Sequence, residues 1–278
     1  MVSKREIKVR VITAVVIAPF VVACFVNYYS LIGLVATVII IAVYEYLSTV
    51  LRKHMNPLMI LVGSIIITGA SIFYGLAIIK GFKAPELVYV ITFFILSGLA
   101  LEHSKDPKVT TEFILYGVMG MVYISLGLSF FYRLFLDFGK ALAAMVLLSV
   151  WMFDSCAYFF GIKFGRIKIS PTYSPHKSLE GILGGFFGTL LFVFLYSRIA
   201  GLLGVKTVNG WEILLIPIAV SLMDTLGDIT ESAVKRYVGV KDMGNVLPGH
   251  GGMLDRIDGL LFVAPTVYLL LSLMRGSV

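Results

Sequence analysis

The segment Val11–Leu51, VITAVVIAPFVVACFVNYYSLIGLVATVIIIAVYEYLSTVL, decides the fold. Its apolar runs at 11–26 and 29–51 are interrupted only around Asn27, Tyr28 and Tyr29, which reads as a tight helical hairpin. Working outward, comparable runs recur at 57–79, 87–101, 113–132, 141–160, 182–197, 213–229 and 259–274, giving nine candidate spans. Several are shorter than the ~20 residues a transmembrane helix requires, so their ends are expected to extend into the flanks. The alternating pattern of a membrane β-barrel is absent, and no internal repeat is evident. The first run follows a basic stretch but lacks a small-residue cleavage site, and the second span follows at once. It reads as a retained first helix.

Composition agrees. Of 278 residues, 59% are hydrophobic and 14% charged, and the mean hydropathy is +0.96. A soluble domain carries about 25% charged residues, and a disordered chain has low hydrophobicity; both classes are excluded. The only cysteines, Cys24 and Cys156, lie in apolar runs without metal-ligand spacing, so a disulfide framework is excluded too. The expected fold is an all-α polytopic membrane helix bundle of about nine transmembrane helices.

Orientation follows from Lys and Arg in alternate loops. With a cytoplasmic N-terminus, the inner side holds Lys4, Arg5, Lys8, Arg10, Arg52, Lys53, Lys105, Lys108, Lys163, Arg166, Lys168, Lys177, Lys235, Arg236, Lys241 and Arg256. The outer side holds Lys80, Lys83, Arg133, Lys140, Arg198, Lys206 and Arg275. The division, 16 against 7, favours N-in and C-out in the cytoplasmic membrane. The net charge of +7 then reads as topology plus an anionic ligand, with no nucleic-acid partner.

Nine of the 16 acidic residues fall between Asp154 and Asp258. Residues 1–140 therefore read as a transmembrane scaffold. Residues 141–278 read as a catalytic region with cytoplasmic loops at 161–181 and 230–258.

The residues that can carry chemistry lie in that second part. Intramembrane carboxylates are costly, at roughly 2.5–3.5 kcal/mol each on insertion scales. Asp224 and Asp228 share a helical face at i, i+4 spacing, where their mutual repulsion would be relieved by a divalent cation or by nearby Lys or Arg. Asp255 and Asp258, at i, i+3, form a second pair just before the last run; the alternative for them is interfacial charge pairing with Lys235 or Arg236. Mg²⁺ suits all-oxygen ligands together with substrate phosphates, and two pairs would allow one or two ions.

Between the pairs run Lys235-Arg236, Lys241-Asp242 and Pro248-Gly-His-Gly-Gly252. Glycines let a backbone approach a ligand and present N–H groups, while Lys and Arg neutralise phosphate. His250 reads equally as a phosphate contact or a plain loop histidine. No Walker P-loop, Ser/His/Asp order or H-E-x-x-H is present. Asp154 lies within the sixth span, and Lys177 and Ser178 precede a helix expected to begin near Gly181, where an anion would be favoured. Glu45, near the inner end of its span, reads as a snorkelling side chain.

The stretch Ser232-Ala-Val-Lys-Arg-Tyr-Val-Gly-Val-Lys-Asp-Met-Gly-Asn-Val-Leu-Pro-Gly-His-Gly-Gly-Met-Leu-Asp-Arg-Ile-Asp258 resembles the signature of the phosphatidate cytidylyltransferases, or CDP-diacylglycerol synthases. Asp154…Ala157-Tyr158…Gly161, Ser174-Pro175…Lys177-Ser178…Glu180-Gly181 and Asp224…Gly227-Asp228 are also similar to that family. The resemblance covers residues 150–260, with the first half matching by hydropathy only. It implies an integral membrane nucleotidyltransferase that makes CDP-diacylglycerol and pyrophosphate from CTP and phosphatidic acid, with Mg²⁺, as a step of phospholipid biosynthesis. On that reading Asp224, Asp228, Asp255 and Asp258 hold metal. Lys177, Ser178, Lys235, Arg236, Lys241, His250, Gly251, Gly252 and Arg256 bind substrate. The active site faces the cytoplasm.

Two rivals differ in class. A CTP-dependent lipid kinase would release CDP instead of pyrophosphate. A secondary transporter would use the buried carboxylates as ion sites, but it commonly shows an inverted repeat. A homodimer is an open alternative: Gly184, Gly185 and Gly188 could pack helices between two chains or within one.

Overall fold

The structure, a computed structural model, describes residues 17–52, 55–246 and 251–276. Residues 17–24 are helical and lead through a short turn into α1 (Tyr28–Val50). There follow α2 (Pro57–Ile79), α3 (Leu87–His103) and α4 (Pro107–Met119), which passes through a π-helical turn (Gly120–Leu126) into α5 (Gly127–Phe138). Then come α6 (Lys140–Phe164), β1 (Lys168–Ser170), β2 (Ser174–Ser178), α7 (Leu179–Leu202), α8 (Glu212–Val238) and α9 (Leu254–Arg275).

Local chemistry sets several of these starts. The Asn27 side chain accepts the Tyr29 N–H, which caps α1 and makes the turn of the first hairpin. Asn56 and Asp106 cap α2 and α4, each followed by a proline at the first helical position, where its missing N–H costs nothing.

Seven helical stretches are long and apolar enough to cross a bilayer, counting Pro107–Phe138 as one. Their outward faces carry large apolar side chains such as Ile91, Phe94, Phe159, Phe187, Leu191 and Leu273, as a surface solvated by lipid requires. The chain is thus an all-α membrane bundle with one small β-hairpin. The expected span at 87–101 is α3, which at 17 residues is the short member. The beginning of the first expected span lies outside the described residues, together with Lys4, Arg5, Lys8, Arg10, Lys53 and His54.

Two expected boundaries are corrected. The loop expected at 230–258 narrows to 239–253, because α8 continues to Val238 and α9 begins at Leu254. The extension of α8 is reasonable: Glu231 and Lys235 pair at i, i+4, and Gly239 ends the helix in the left-handed conformation at φ 77°. At ~1.5 Å per residue, its 27 residues outreach the hydrocarbon layer, so charged residues fit on its last turns. The loop expected at 161–181 is largely structured. α6 runs to Phe164, and an antiparallel hairpin pairing Lys168 with Ser178 and Ser170 with Ser174 leads directly into α7.

The chain forms two compact units. The first comprises Met1–Tyr132 with Val240–Arg256, and the second Arg133–Gly239 with Ile257–Val278. The glycine-containing segment after α8 is therefore part of the N-terminal unit. Inside that unit one cluster of polar core groups is mutually paired. The Ser71 and Ser129 hydroxyls hydrogen-bond at 2.7 Å, Tyr89 reaches Ser129 at 2.9 Å, and Tyr132 reaches Ser71 at 3.2 Å. Buried hydroxyls without such partners would be costly in a bilayer.

In the second unit α6 and α7 approach closely through glycine. A Cβ on Gly185 would stand 2.5 Å from Phe153, and one on Gly184 or Gly188 would overlap Phe160 or Cys156. Of the two uses weighed for this glycine stripe, packing within one chain is the one observed. Gly185→Leu is accordingly expected to lower the thermal unfolding midpoint in detergent by several degrees, as overpacking of about 1–3 kcal/mol does. Unfolding scans would check it; an unchanged midpoint would show that the contact yields freely.

Candidate active site

Asp224 and Asp228 lie one turn apart on α8, and Asp258 sits in the second turn of α9. These two helices cross at glycines. A Cβ on Gly227 would stand 3.0 Å from the Gly259 Cα and 2.9 Å from the Asp258 carbonyl carbon. A Cβ on Gly259 would stand 2.6 Å from the Asp224 carboxyl carbon. Hydrogen at both positions is thus what allows the backbones to approach until Asp224 and Asp258 act on one another. Asp224 is only 3% exposed. The charges that bear on it are Asp154 of α6, Lys177, Asp258 and Asp228. Those bearing on Asp258 are Asp228, Asp154, Lys177 and Lys235. Four carboxylates from three membrane-spanning helices therefore form one electrostatic group.

Lys177 is the ammonium inside that group. Its Nζ stands 2.8 Å from Asp228 Oδ2, and the other Asp228 oxygen accepts from the Ser232 hydroxyl at 3.1 Å. The hairpin motif explains how Lys177 arrives there. Ser178 is buried, and its Oγ accepts the Gly181 N–H as the N-cap of α7. Glu180 accepts the Arg166 and Ile167 N–H groups, fastening the start of the hairpin to its end. Gly165, where a Cβ would meet Ser178 Oγ at 2.6 Å, lets the chain leave α6 against that cap. Most of Ser174–Gly181 thus serves to deliver one lysine. The Ser178 hydroxyl, expected to touch a phosphate, accepts this bond and keeps its own hydrogen to donate.

Lys235 is held by Glu231, which is 1% exposed and one turn back on α8; Arg236 beside it is exposed. Glu231 had no role in the sequence reading, although its i, i+4 spacing to Lys235 was legible. Asp154 was legible too, by the same insertion cost as Asp224, but it was not placed among the metal ligands.

In the other unit, Asp255 Oδ2 accepts the Met243 and Gly252 N–H groups, each at 3.0 Å. Lys241 and Arg256 are exposed, and Gly251 takes φ 82°. His250 lies outside the described residues.

The donor set is all oxygen, which suits Mg²⁺. Among the described residues, no three His, Cys, Asp or Glu side chains form a closed metal cage. Mg²⁺ does not need one, since it is commonly held by one or two carboxylates with waters and substrate phosphates. Four carboxylates around one ammonium also leave an excess of negative charge that a divalent ion would offset. The residues fit the ion.

A family model described as "Cytidylyltransferase family" matches residues 8–274. The phosphatidate cytidylyltransferase of Thermotoga maritima is 47% identical over 274 residues, covering 98% of this chain and 99% of the relative. Those of Staphylococcus epidermidis and Staphylococcus haemolyticus are each 36% identical, over 65% and 66% of this chain and 66% and 68% of their own lengths. With nearly the whole chain matched and the motif residues gathered around one acidic group, the protein belongs to the cytidylyltransferase family.

Proposed function

We propose that this protein is a phosphatidate cytidylyltransferase, an integral membrane enzyme of phospholipid biosynthesis that makes CDP-diacylglycerol and pyrophosphate from CTP and phosphatidate. The observation that carries the reading is the group Asp154, Asp224, Asp228 and Asp258 with Lys177, set in membrane-spanning helices of a chain nearly half identical to a protein of that name. A lipid phosphate and a nucleotide triphosphate are both strongly anionic. Joining them at a membrane needs fixed cations at the phosphates and carboxylates that recruit a mobile one.

A non-bridging oxygen of the phosphatidate phosphate attacks the α-phosphorus of CTP. The bond from that phosphorus to the bridging oxygen of the β-phosphate breaks, and pyrophosphate leaves with the electron pair. The attacking phosphate is ionised at neutral pH, so no general base is assigned. Asp224, Asp228 and Asp258 would hold Mg²⁺, with Asp255, one turn before Asp258 on α9, as the fourth carboxylate. Bound there, the ion would supply charge neutralisation to the triphosphate. Lys177, Lys235, Arg236, Lys241, Arg256 and the Gly251 amide are assigned to phosphate oxygens, and His250 with them, while Gly252 lets the backbone approach closely.

Purified protein given labelled CTP and phosphatidate, with and without Mg²⁺, tests this. The expected result is a labelled lipid and one pyrophosphate per turnover, only with the metal. Release of CDP instead would establish a kinase, and no lipid product would sink the reading.

CTP is cytosolic, so we also propose that the basic hairpin and the segment after α8 face the cytoplasm, with an inner N-terminus and an outer C-terminus. Fusions at the C-terminus are expected to give active alkaline phosphatase and a dark fluorescent protein. The opposite pair of signals would invert the orientation.

A further inference from the structure

Glu45 is a carboxylate near the end of an apolar helix, yet it does not reach out to water. It is 5% exposed, on the inward side of α1. The snorkelling role expected for it is therefore replaced by another. Its Oε2 accepts the N–H of Met253 at 2.6 Å and of Leu254 at 3.2 Å, the residues that open α9. These amides have no partner within their own helix, and the positive end of a helix dipole favours a carboxylate. One turn further along α1, the Thr49 hydroxyl donates to the Met243 carbonyl at 2.9 Å. Met243 is thereby held from both sides, because its N–H goes to Asp255.

The glycines of the segment acquire a second explanation here. A Cβ on Gly244 would fall on the Glu45 carboxylate. One on Gly252 would stand 2.8 Å from Glu45 Oε2, 2.9 Å from Asp255 Oδ2 and 2.7 Å from the Gly244 nitrogen. These two glycines make room for the protein's own carboxylates. Glu45 and Asp255 together take four backbone amides, those of Met253, Leu254, Met243 and Gly252.

We propose that Glu45 is a positioning residue for residues 240–246 and 251–256: from the first long span it fixes the entry to α9, and through it the conformation in which Gly251, Gly252 and Asp255 meet the nucleotide. The proposal rests on the function given above for that segment. It assigns a role in the reaction to the N-terminal half of the chain, which no motif of the family resemblance reaches.

The test uses full-length Glu45→Ala and Glu45→Gln in detergent, with Ser71→Ala as a control that weakens the core of the same unit away from the segment. Glu45→Ala is expected to lower kcat/KM for CTP roughly 100-fold per folded molecule, as a misplacement of about 1 Å does. The KM for phosphatidate should stay near wild type. Glu45→Gln keeps one acceptor oxygen and should recover about 10-fold of the loss. Amide hydrogen exchange across 243–256 should rise in both variants and stay unchanged in Ser71→Ala. Wild-type kinetics together with wild-type exchange in Glu45→Ala, or in Glu45→Gln if the alanine variant does not fold, would overturn the proposal. So would equal kinetic losses in Glu45→Ala and Ser71→Ala. If the wild type made no CDP-lipid, the functional reading would fail by itself, and the exchange comparison would still decide whether Glu45 holds the segment.

Discussion

Asp224→Asn is expected to abolish cytidylyl transfer while leaving the protein as stable as the wild type, or more so. The two halves of this result have one cause. Asp224 is 3% exposed, and three other carboxylates and one ammonium act on it. In the absence of a cation the fourth negative charge is unfavourable, through desolvation and like-charge repulsion together. Asparagine keeps the shape and removes the charge, so the metal-free midpoint in detergent should hold or rise. On the proposed function the same change removes a carboxylate that would draw Mg²⁺ inward. Losing several kcal/mol of charge stabilisation at the transferring phosphate corresponds to roughly 10³-fold in rate. Stabilisation of the protein by Mg²⁺, which follows from binding to the folded state, should vanish in parallel. Thermal scans with and without Mg²⁺, beside turnover assays, separate these effects. Near-normal turnover would remove Asp224 from the metal set. Lost turnover with a lower metal-free midpoint would mean that the carboxylate is structural.

That Asp224 and Asp228 share one face of an apolar helix was legible from sequence, because i, i+4 spacing places them one turn apart. The helical membrane architecture was legible because nothing else explains apolar runs of such length and number. The polar side chains with structural duties were legible only where their partners are close in sequence. Glu231 and Ser178 bond within four residues along the chain, whereas Glu180 reaches back 14 residues to the Arg166 amide, a partner specified only once the hairpin is placed. Glu45 reaches across 208 residues, which no periodicity encodes. The glycines are ambiguous in a different way. A glycine beside a phosphate and a glycine beside a buried carboxylate look the same in a sequence, since both record only that a side chain would not fit. Gly244 and Gly252 face Glu45, and Gly227 and Gly259 face the partner helix. The segment after α8 is shorter than expected because the helix outlasts its apolar run, with Glu231 and Lys235 neutralising each other along its side.

Gly259→Ala is the sharpest test of how the acidic group is assembled. Alanine is a better helix former than glycine by roughly 1 kcal/mol, so on propensity alone the substitution in α9 should stabilise. The packing argues the reverse. The added methyl would lie 2.6 Å from the Asp224 carboxyl carbon and 3.3 Å from its Cα, so both the side chain and the backbone of α8 stand in its way. The side chain cannot swing aside without moving among Asp154, Asp228 and Asp258, and Gly227 holds the same crossing from the other helix at 3.0 Å. The helices must therefore separate, at a cost of about 1–3 kcal/mol, which outweighs the propensity gain. Separation also pulls Asp224 from Asp258, and a metal site 1 Å too wide loses on the order of 10²-fold in rate. The expected result is a lower unfolding midpoint, loss of most turnover, and a raised Mg²⁺ requirement that excess metal partly restores. This last feature distinguishes a widened site from a merely unfolded one. Gly33→Ala, where an added Cβ meets nothing within 4 Å, is the control and should leave turnover unchanged. Full activity in Gly259→Ala would show that Asp224 and Asp258 do not have to be held at this separation, and the shared cation would then have to be given up.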